Sequence, residues 1–350
     1  MTVGDSSISW IRNPDGSKGK TWNPVRGCSR TCSEGTHQTG CGDGSGGGCY
    51  AEEQAGRIVK MSRGRGVPEG QGPYDGLVRL TANGWRWTGQ TRVARDHLGD
   101  PLTWQNPTRI FVNSMSDLFH DGFSDADIAE VFAVMGLSWW HTHIVLTKRT
   151  GRAGVLMRST HFYERVLARA AEIRGGMPQK RMWRTYPEHH RHPSGFDWPL
   201  RNVWLGASIC NRADLAERGP ELRATPATIR VWSVEPQLED LGDVREYLGN
   251  AKGCGWLLNG CESGERARPF EFAWPRSLRN QCRDAGVPFF FKQARHVPAC
   301  IPAPPGAAHN GTGWVDIVDA GEGSERKRDG VIEMPYLDGF QHLEWPEAGR

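Results

Sequence analysis

Four cysteines near the start of the chain are spaced closely enough to hold a metal centre. They follow a C-x3-C-x8-C-x7-C pattern and are Cys28, Cys32, Cys41 and Cys49. Four thiolates can bind Zn2+ tetrahedrally, whereas three can hold a [4Fe-4S] cluster with one iron left open to a ligand. The number of cysteines favours zinc, but their spacing alone does not decide between the two metals.

A second group of chemically capable residues follows a series of short apolar runs. Carboxylates, amides, hydroxyls and cations in such positions can bind a polar, zwitterionic or phosphate-bearing ligand. Each one alone is equally typical of a helix cap or a solvated loop, but their recurrence after successive runs favours a shared site. The candidates are Asn113, Ser114, Ser116, Asp117, Lys148, Arg149, Glu235, Glu262 and Lys292.

The apolar runs that position these residues are typical of buried parallel strands. Each holds about five nearly continuous apolar residues, as a strand covered on both faces requires. The six strong runs are 109–113, 143–147, 202–208, 230–234, 255–259 and 288–292, and weaker candidates lie at 7–10 and 77–80.

Helix signals separate the predicted strands. Ser124 can cap a helix together with Asp127, and Pro275 and Gly286 suit the start and the end of a later helix. The alternation predicts a (β/α) barrel, full or partial, with its active site at the carboxyl ends of the strands.

Length, charge and composition define the expected organisation. The 350 residues carry 43 Lys and Arg against 40 Asp and Glu, a formal charge of +3 that is too small for attraction of nucleic acid to the whole surface. We expect a barrel over 1–293, with a cysteine loop at 28–49, and a C-terminal extension over 294–350 packed on or near it. No apolar run is long enough to span a membrane, so a cytoplasmic protein is expected.

One stretch, 174–201, combines basic and aromatic residues. It has six Lys and Arg against two acids, a combination that suits phosphate contact and base stacking. The alternative interpretation is a solvated insertion whose tryptophans pack it onto the barrel.

Several motifs, in order along nearly the whole chain, resemble a phage and bacterial protein family with a three-cysteine motif. That family in turn resembles radical S-adenosylmethionine (SAM) enzymes, and the SD of NSMSD is most similar to the spore photoproduct lyase branch, which repairs DNA. The motifs are TWNPVRGC, CYAE, FVNSMSDLFH, LTKR, NVWLGAS, SVEP, ESG, ARP, GVPFFFKQ and LDG…WP.

The resemblance implies a radical-SAM-like barrel with a [4Fe-4S] cluster and SAM as cofactors. Cys28 and Cys49 match the outer cluster ligands, but Gly46 stands where the family has the middle cysteine. Cys41 is the expected middle ligand, with Cys32 in reserve. The implied partners are an electron donor, a nucleic acid or nucleotide-like substrate and a three-Cys-motif partner protein.

The resemblance also distributes roles among the other candidates. Tyr50 is expected near the adenosine of SAM, and the Asn113 to Asp117 group is expected to contact SAM, although Asp117 is also typical of a turn or cap residue. The substrate mouth would be lined by Lys148 and Arg149 on the cofactor side and by Glu235, Glu262 and Lys292 as catalytic residues.

Two other functions agree with the same residues. A zinc-dependent nucleic-acid-binding protein would use all four cysteines structurally and have no turnover. A metal-free barrel hydrolase or lyase would use Glu235 and Glu262 as an acid/base pair.

Overall fold

The computed structural model describes most of the chain. It covers residues 5–29, 49–176, 197–249, 252–263, 267–295, 331–338 and 340–346, and the short strands 300–302, 314–316, 318–319 and 325–326. The middle cysteines Cys32 and Cys41 and most of the basic insertion therefore lie outside the described residues.

A curled, mostly parallel half-barrel sheet of nine strands organises the described part of the chain. The strands are β1 (Lys20–Trp22), β2 (Arg109–Val112), β3 (Thr142–Thr147), β4 (Val203–Ser208), β5 (Ile229–Val234), β6 (Trp256–Gly260), β7 (Phe289–Arg295), β8 (Glu325–Arg326) and β9 (Val331–Glu333).

Strands β1 to β7 are parallel and neighbour one another in chain order, and β9 and then β8 continue the sheet antiparallel to β7 and β9 respectively. An order without reversal places successive crossovers on the same face, as in a (β/α) barrel and unlike a doubly wound sheet. Within the described residues β1 and β8 lie at opposite edges of the sheet and do not pair with each other, which is compatible with the partial barrel of the prediction.

In the described part of the chain six α-helices accompany the sheet: α1 (Tyr50–Gly64), α2 (Asp125–Leu137), α3 (Thr150–Arg158), α4 (Thr160–Gly175), α5 (Arg212–Ala224) and α6 (Ala273–Asp284). Ser124 and Asp127 form the predicted capping box at the start of α2. Gly286 has a φ of +65°, the left-handed conformation that glycine adopts readily after a helix end. Pro275 lies at the third residue of α6 rather than the first. None of these helices is long and apolar enough to cross a membrane.

Alternate side chains of the strands enter two different cores. Phe289 and Phe291 of β7 belong to the large cluster that faces the helices, whereas Phe290 belongs to a second cluster on the opposite face. Trp10 and Trp345 cover this second face: the Trp345 indole donates to the Trp10 carbonyl at 2.7 Å. Segments from both ends of the chain therefore close the inner face of the half-barrel.

The two weak strand predictions need correction. The run 7–10 forms no strand: Ser9–Ile11 is a short 3-10 helix, because the ring of Trp10 packs edge-on against Phe111 on the inner face. The run 77–80 does contain a strand, Val78–Thr81, but it pairs with Gly84–Trp87 in a separate hairpin.

Four further pairings lie outside the main sheet. Val25–Gly27 pairs with Thr91–Val93, Cys300–Pro302 pairs with Trp314–Asp316, and Tyr336–Leu337 pairs with both Val318–Asp319 and Phe340–Gln341.

Candidate functional site

The carboxyl ends of the parallel strands place most candidate residues along one edge of the sheet. Asn113 to Asp117 follow β2, Lys148 and Arg149 follow β3, and Glu235 follows β5. Glu262 comes two residues after β6, and Lys292 is the fourth of the seven residues of β7. The topology therefore brings side chains that are far apart in sequence to one edge of the sheet, where the predicted strands were expected to place them.

Asn23, which follows β1, organises the loop after β2. Its side-chain oxygen accepts hydrogen bonds from the Met115 amide at 3.1 Å and from the Ser114 hydroxyl at 3.3 Å. The Ser116 hydroxyl donates to the carbonyl of Val25 at 2.7 Å. Both predicted SAM-contacting serines thus use their hydroxyl hydrogens to join the two loops.

The Asp117 carboxylate joins the end of β2 to the end of β3. One oxygen accepts from the Phe119 amide at 2.9 Å and the Thr147 hydroxyl at 2.8 Å. The other accepts from the Lys148 amide at 2.9 Å and lies 3.3 Å from an Arg149 guanidinium nitrogen. These contacts favour the turn-residue interpretation of Asp117, since both oxygens already have partners inside the protein.

Asn113 differs from its neighbours because its side chain has no hydrogen-bond partner. It is 3% exposed, yet neither its side-chain oxygen nor its nitrogen is paired within the described residues. Its φ of +59° is a left-handed conformation that asparagine tolerates better than most residues. A buried amide left unsatisfied costs about 1–3 kcal/mol per group, so this position suits a ligand that supplies both a donor and an acceptor.

The two outer cysteines meet at the same small apolar cluster. Cys28 directly follows the strand Val25–Gly27, and Cys49 is the N-cap of α1. Both are half-buried and pack against a cluster that contains Met115, from the loop after β2. Two thiols are therefore placed beside the carboxyl edge of the sheet, although the described residues contain no set of three metal-binding side chains.

His120 fixes the residue that follows Cys28. The amide nitrogen and the hydroxyl of Ser29 lie 3.0 and 2.8 Å from His120 Nε2, and Nδ1 accepts from the Gly122 amide at 2.9 Å. Burial, with a smaller contribution from Arg149, lowers the pKa of His120. No role for Asn23 or His120 was predicted from the sequence, although both lie in motifs that carried the family resemblance.

Ion pairs occupy the other half of the sheet edge. Lys292 and Glu235 pair across β6, and Glu262 forms a two-pronged pair with Arg268 at 2.8 and 2.9 Å. Each carboxylate thus has its own cationic partner. This arrangement disfavours an acid/base pair of Glu235 and Glu262.

The remaining cofactor candidate, Tyr50, begins α1 directly after Cys49. Its side chain is 64% exposed, so the structure places it beside the cysteines and open to solvent. The predicted insertion 174–201 is described only at its two ends, and its proposed role stays a prediction.

The chain belongs to a protein family of unknown function, DUF5131, which it matches over residues 5–318. No curated protein and no solved structure matches the chain. The family therefore accounts for nearly the whole chain, while the chemistry must be argued from the site itself.

Proposed function

We propose that this protein is a radical-SAM-type enzyme that acts on nucleic acid or a nucleotide-like substrate. The observation that carries the proposal is that Cys28 and Cys49 pack against one cluster with Met115, in the same loop after β2 that contains the buried, unpartnered side chain of Asn113. The two cysteines could hold a metal centre, and the Asn113 amide could bind a polar cofactor.

The residues present fit a [4Fe-4S] cluster and SAM as far as the described part of the chain extends. Cys28 and Cys49 would supply two thiolates, and the third would come from 30–48, outside the described residues, with Cys41 preferred and Cys32 in reserve. When bound, the cluster and SAM would supply radical chemistry that starts with one-electron reduction of SAM. The electron would come from a donor in the cytoplasm.

The chain's own residues would bind and orient the cofactor. The Asn113 amide can donate one hydrogen bond and accept another, which matches the mixed donors and acceptors of an amino acid or nucleoside group. Met115 and the apolar cluster beneath the cysteines limit the access of water. The Asp117 and Arg149 pair holds the loop that presents Asn113 in its left-handed conformation.

The paired charges across β6 suit the substrate side of the mouth. Lys292 and Glu235 are largely but not completely buried, so an incoming anionic or polar group can exchange with either partner. Lys148, which follows β3, adds a cation at the same edge of the sheet. A three-Cys-motif protein remains a proposed partner.

Anaerobic reconstitution tests the proposal. The full-length protein is incubated with iron, sulfide and a reductant, and iron content and 5′-deoxyadenosine formed from SAM are measured. Cys28→Ala and Cys49→Ala should each lose the cluster, because a three-thiolate site does not survive loss of a ligand. Cys254→Ala, which changes a cysteine buried in the main core, is the matched control and should keep its iron.

Two outcomes would replace the proposal. Stoichiometric zinc held by the cysteines, without any SAM cleavage, would support the zinc-dependent nucleic-acid-binding protein. Turnover that persists after chelation and disappears in Glu235→Gln would support the metal-free hydrolase or lyase.

A further inference from the structure

The region that starts at the cysteines concentrates positive charge. We define the α1 lobe as residues 49–93, which contain α1 and the hairpin of Val78–Thr81 and Gly84–Trp87. This lobe has seven Lys and Arg against four Asp and Glu, an excess of three positive charges, and the whole chain has a formal charge of +3. The lobe therefore accounts for the whole positive balance of the protein.

Two of the four acids in the lobe are buried and already paired. Glu52 accepts from the Trp87 amide at 2.9 Å and lies 3.6 Å from the Arg86 guanidinium. Asp75 pairs with Arg63 at 2.9 Å. Neither carboxylate is therefore available to neutralise the surface of the lobe.

The exposed cations of the lobe have no acidic partners within the described residues. They are Arg57, Lys60, Arg65, Arg79 and Arg92. Arginines elsewhere contrast with them: Arg95 and Arg169 both pair with Glu130, and Arg276 pairs with Asp338. A group of neighbouring unpaired cations keeps its full charge for an external anion.

Two of these cations, Arg57 and Lys60, lie along a stripe of α1 that begins at the cysteine site. Tyr50, Arg57 and Met61 are separated by seven and four residues, so they share one side of α1. Lys60 borders this side, with its ammonium 5.9 Å from the centre of the Trp85 ring. Tyr50 and Met61 are 64% and 48% exposed, so the stripe offers apolar surface between its charges.

The hairpin packs on the side of α1 away from this stripe, so the stripe stays on the outer side of the helix. The Trp85 ring lies directly on Gly56, where an added Cβ would be 2.2 Å from the ring, so the approach of hairpin to helix requires glycine. The buried face of α1, including Ala55 and Ile58, turns toward the hairpin. Within the described residues the opposite side of the helix, including Tyr50, Arg57 and Met61, is consequently exposed.

We infer that the α1 lobe binds a nucleic-acid strand through its phosphates and leads it toward Cys49. The inference rests on the proposed function for its role, and it narrows the substrate to a polynucleotide. The 15-residue helix is about 22 Å long, which matches about six nucleotides at the 3.4 Å spacing of a stacked strand. Exposed apolar side chains between cations favour stacked bases, whereas a membrane-bound helix needs a continuous apolar face.

Salt-dependent binding of the full-length protein tests the inference. The probes are 20-nucleotide single-stranded DNA and RNA of the same sequence, followed by fluorescence anisotropy from 0.05 to 0.3 M KCl. The variant Arg57→Gln/Lys60→Gln/Arg65→Gln should reduce the slope of log affinity against log salt by about two, since each phosphate contact contributes about 0.7 for a single strand. At 0.1 M salt this corresponds to about a hundredfold weaker binding.

A matched variant neutralises the rival basic segment. In Lys180→Gln/Arg181→Gln/Arg184→Gln/Arg191→Gln the salt slope should stay at the wild-type value. The inference would be overturned if the salt slope fell in this variant and not in the α1 lobe variant. It would also be overturned if the wild-type protein bound phosphatidylserine vesicles but neither oligonucleotide. Thermal melting of both variants verifies that each is folded.

The outcome is separable from that of the proposed function. Oligonucleotide binding is measured with and without reconstitution, so it does not depend on SAM cleavage. Binding that the α1 lobe variant weakens, in a protein that never cleaves SAM, would retain this surface and refute the radical chemistry. SAM cleavage with an unchanged salt slope would refute the surface alone.

Discussion

Asp117→Asn distinguishes a structural carboxylate from a cofactor-binding one. The native carboxylate accepts from Phe119 and Thr147 at one oxygen and from Lys148 and Arg149 at the other. An asparagine keeps one oxygen but presents an NH2 group in place of the second. The two donor groups that contact that oxygen in the native protein would then face an NH2 group, which cannot accept their hydrogen bonds. The ends of β2 and β3 would be joined by fewer hydrogen bonds.

The expected loss of stability is about 3 kcal/mol. Hydrogen bonds to a charged group contribute about 1.5–3 kcal/mol each, two of them are lost, and the Asp117 side chain is only 12% exposed. The control is Asp121→Asn, whose carboxylate is 79% exposed and lies 3.8 and 3.9 Å from Arg149 and Arg152. Exposed pairs contribute about 1 kcal/mol or less, so the control should unfold almost as the wild type does.

Urea unfolding followed by tryptophan fluorescence measures the difference, and calorimetric titration with SAM on reconstituted protein measures binding. We expect Asp117→Asn to lower the unfolding midpoint clearly and Asp121→Asn to leave it nearly unchanged. If Asp117→Asn unfolds at the wild-type midpoint but binds SAM more weakly, the carboxylate contacts the cofactor and the structural reasoning is refuted.

Three further predictions follow from individual residues. Iron retention in Cys41→Ala and Cys32→Ala identifies the middle ligand; we expect loss only in Cys41→Ala, and the reverse result would assign Cys32. Asn113→Gly removes two unpaired polar groups and places a glycine where φ is positive, so stability should be unchanged or higher by up to about 1 kcal/mol. The same variant should bind SAM more weakly, and unchanged SAM binding would contradict the proposed role of Asn113. Complete burial holds the pKa of His143 well below its ordinary value, so the unfolded chain takes up the proton first and stability falls as the pH drops below about 6.5. From pH 7 to 5 the wild type should lose about 2 kcal/mol more than His143→Asn in urea titrations, and equal losses would disprove this linkage.

The parallel strands β2 to β7 and several helix ends could be predicted from the sequence alone. Near-continuous apolar runs report burial on both faces, which depends on residues within one strand. The capping box of Ser124 and Asp127 and the left-handed Gly286 are likewise local, since each involves neighbours a few residues apart. Chain order then sufficed to predict that the polar residues after the strands share one edge.

Tertiary structure decided what a local pattern does not contain. The three residues of β1 form no apolar run, and they become a strand only by pairing with β2 about ninety residues later. The oxygens of Asp117 find their partners 30 and 31 residues away, which changes the favoured interpretation from ligand contact to connection of two strands.

The same limit applies to surface charge. Counting charges along the sequence drew attention to 174–201, whereas the charge of the α1 lobe became evident only when Glu52 and Asp75 proved to be buried and paired. The sequence gives the type of each residue and its neighbours along the chain. Whether the charge or the hydrogen-bonding group of that residue is available to a ligand depends on contacts with distant parts of the chain.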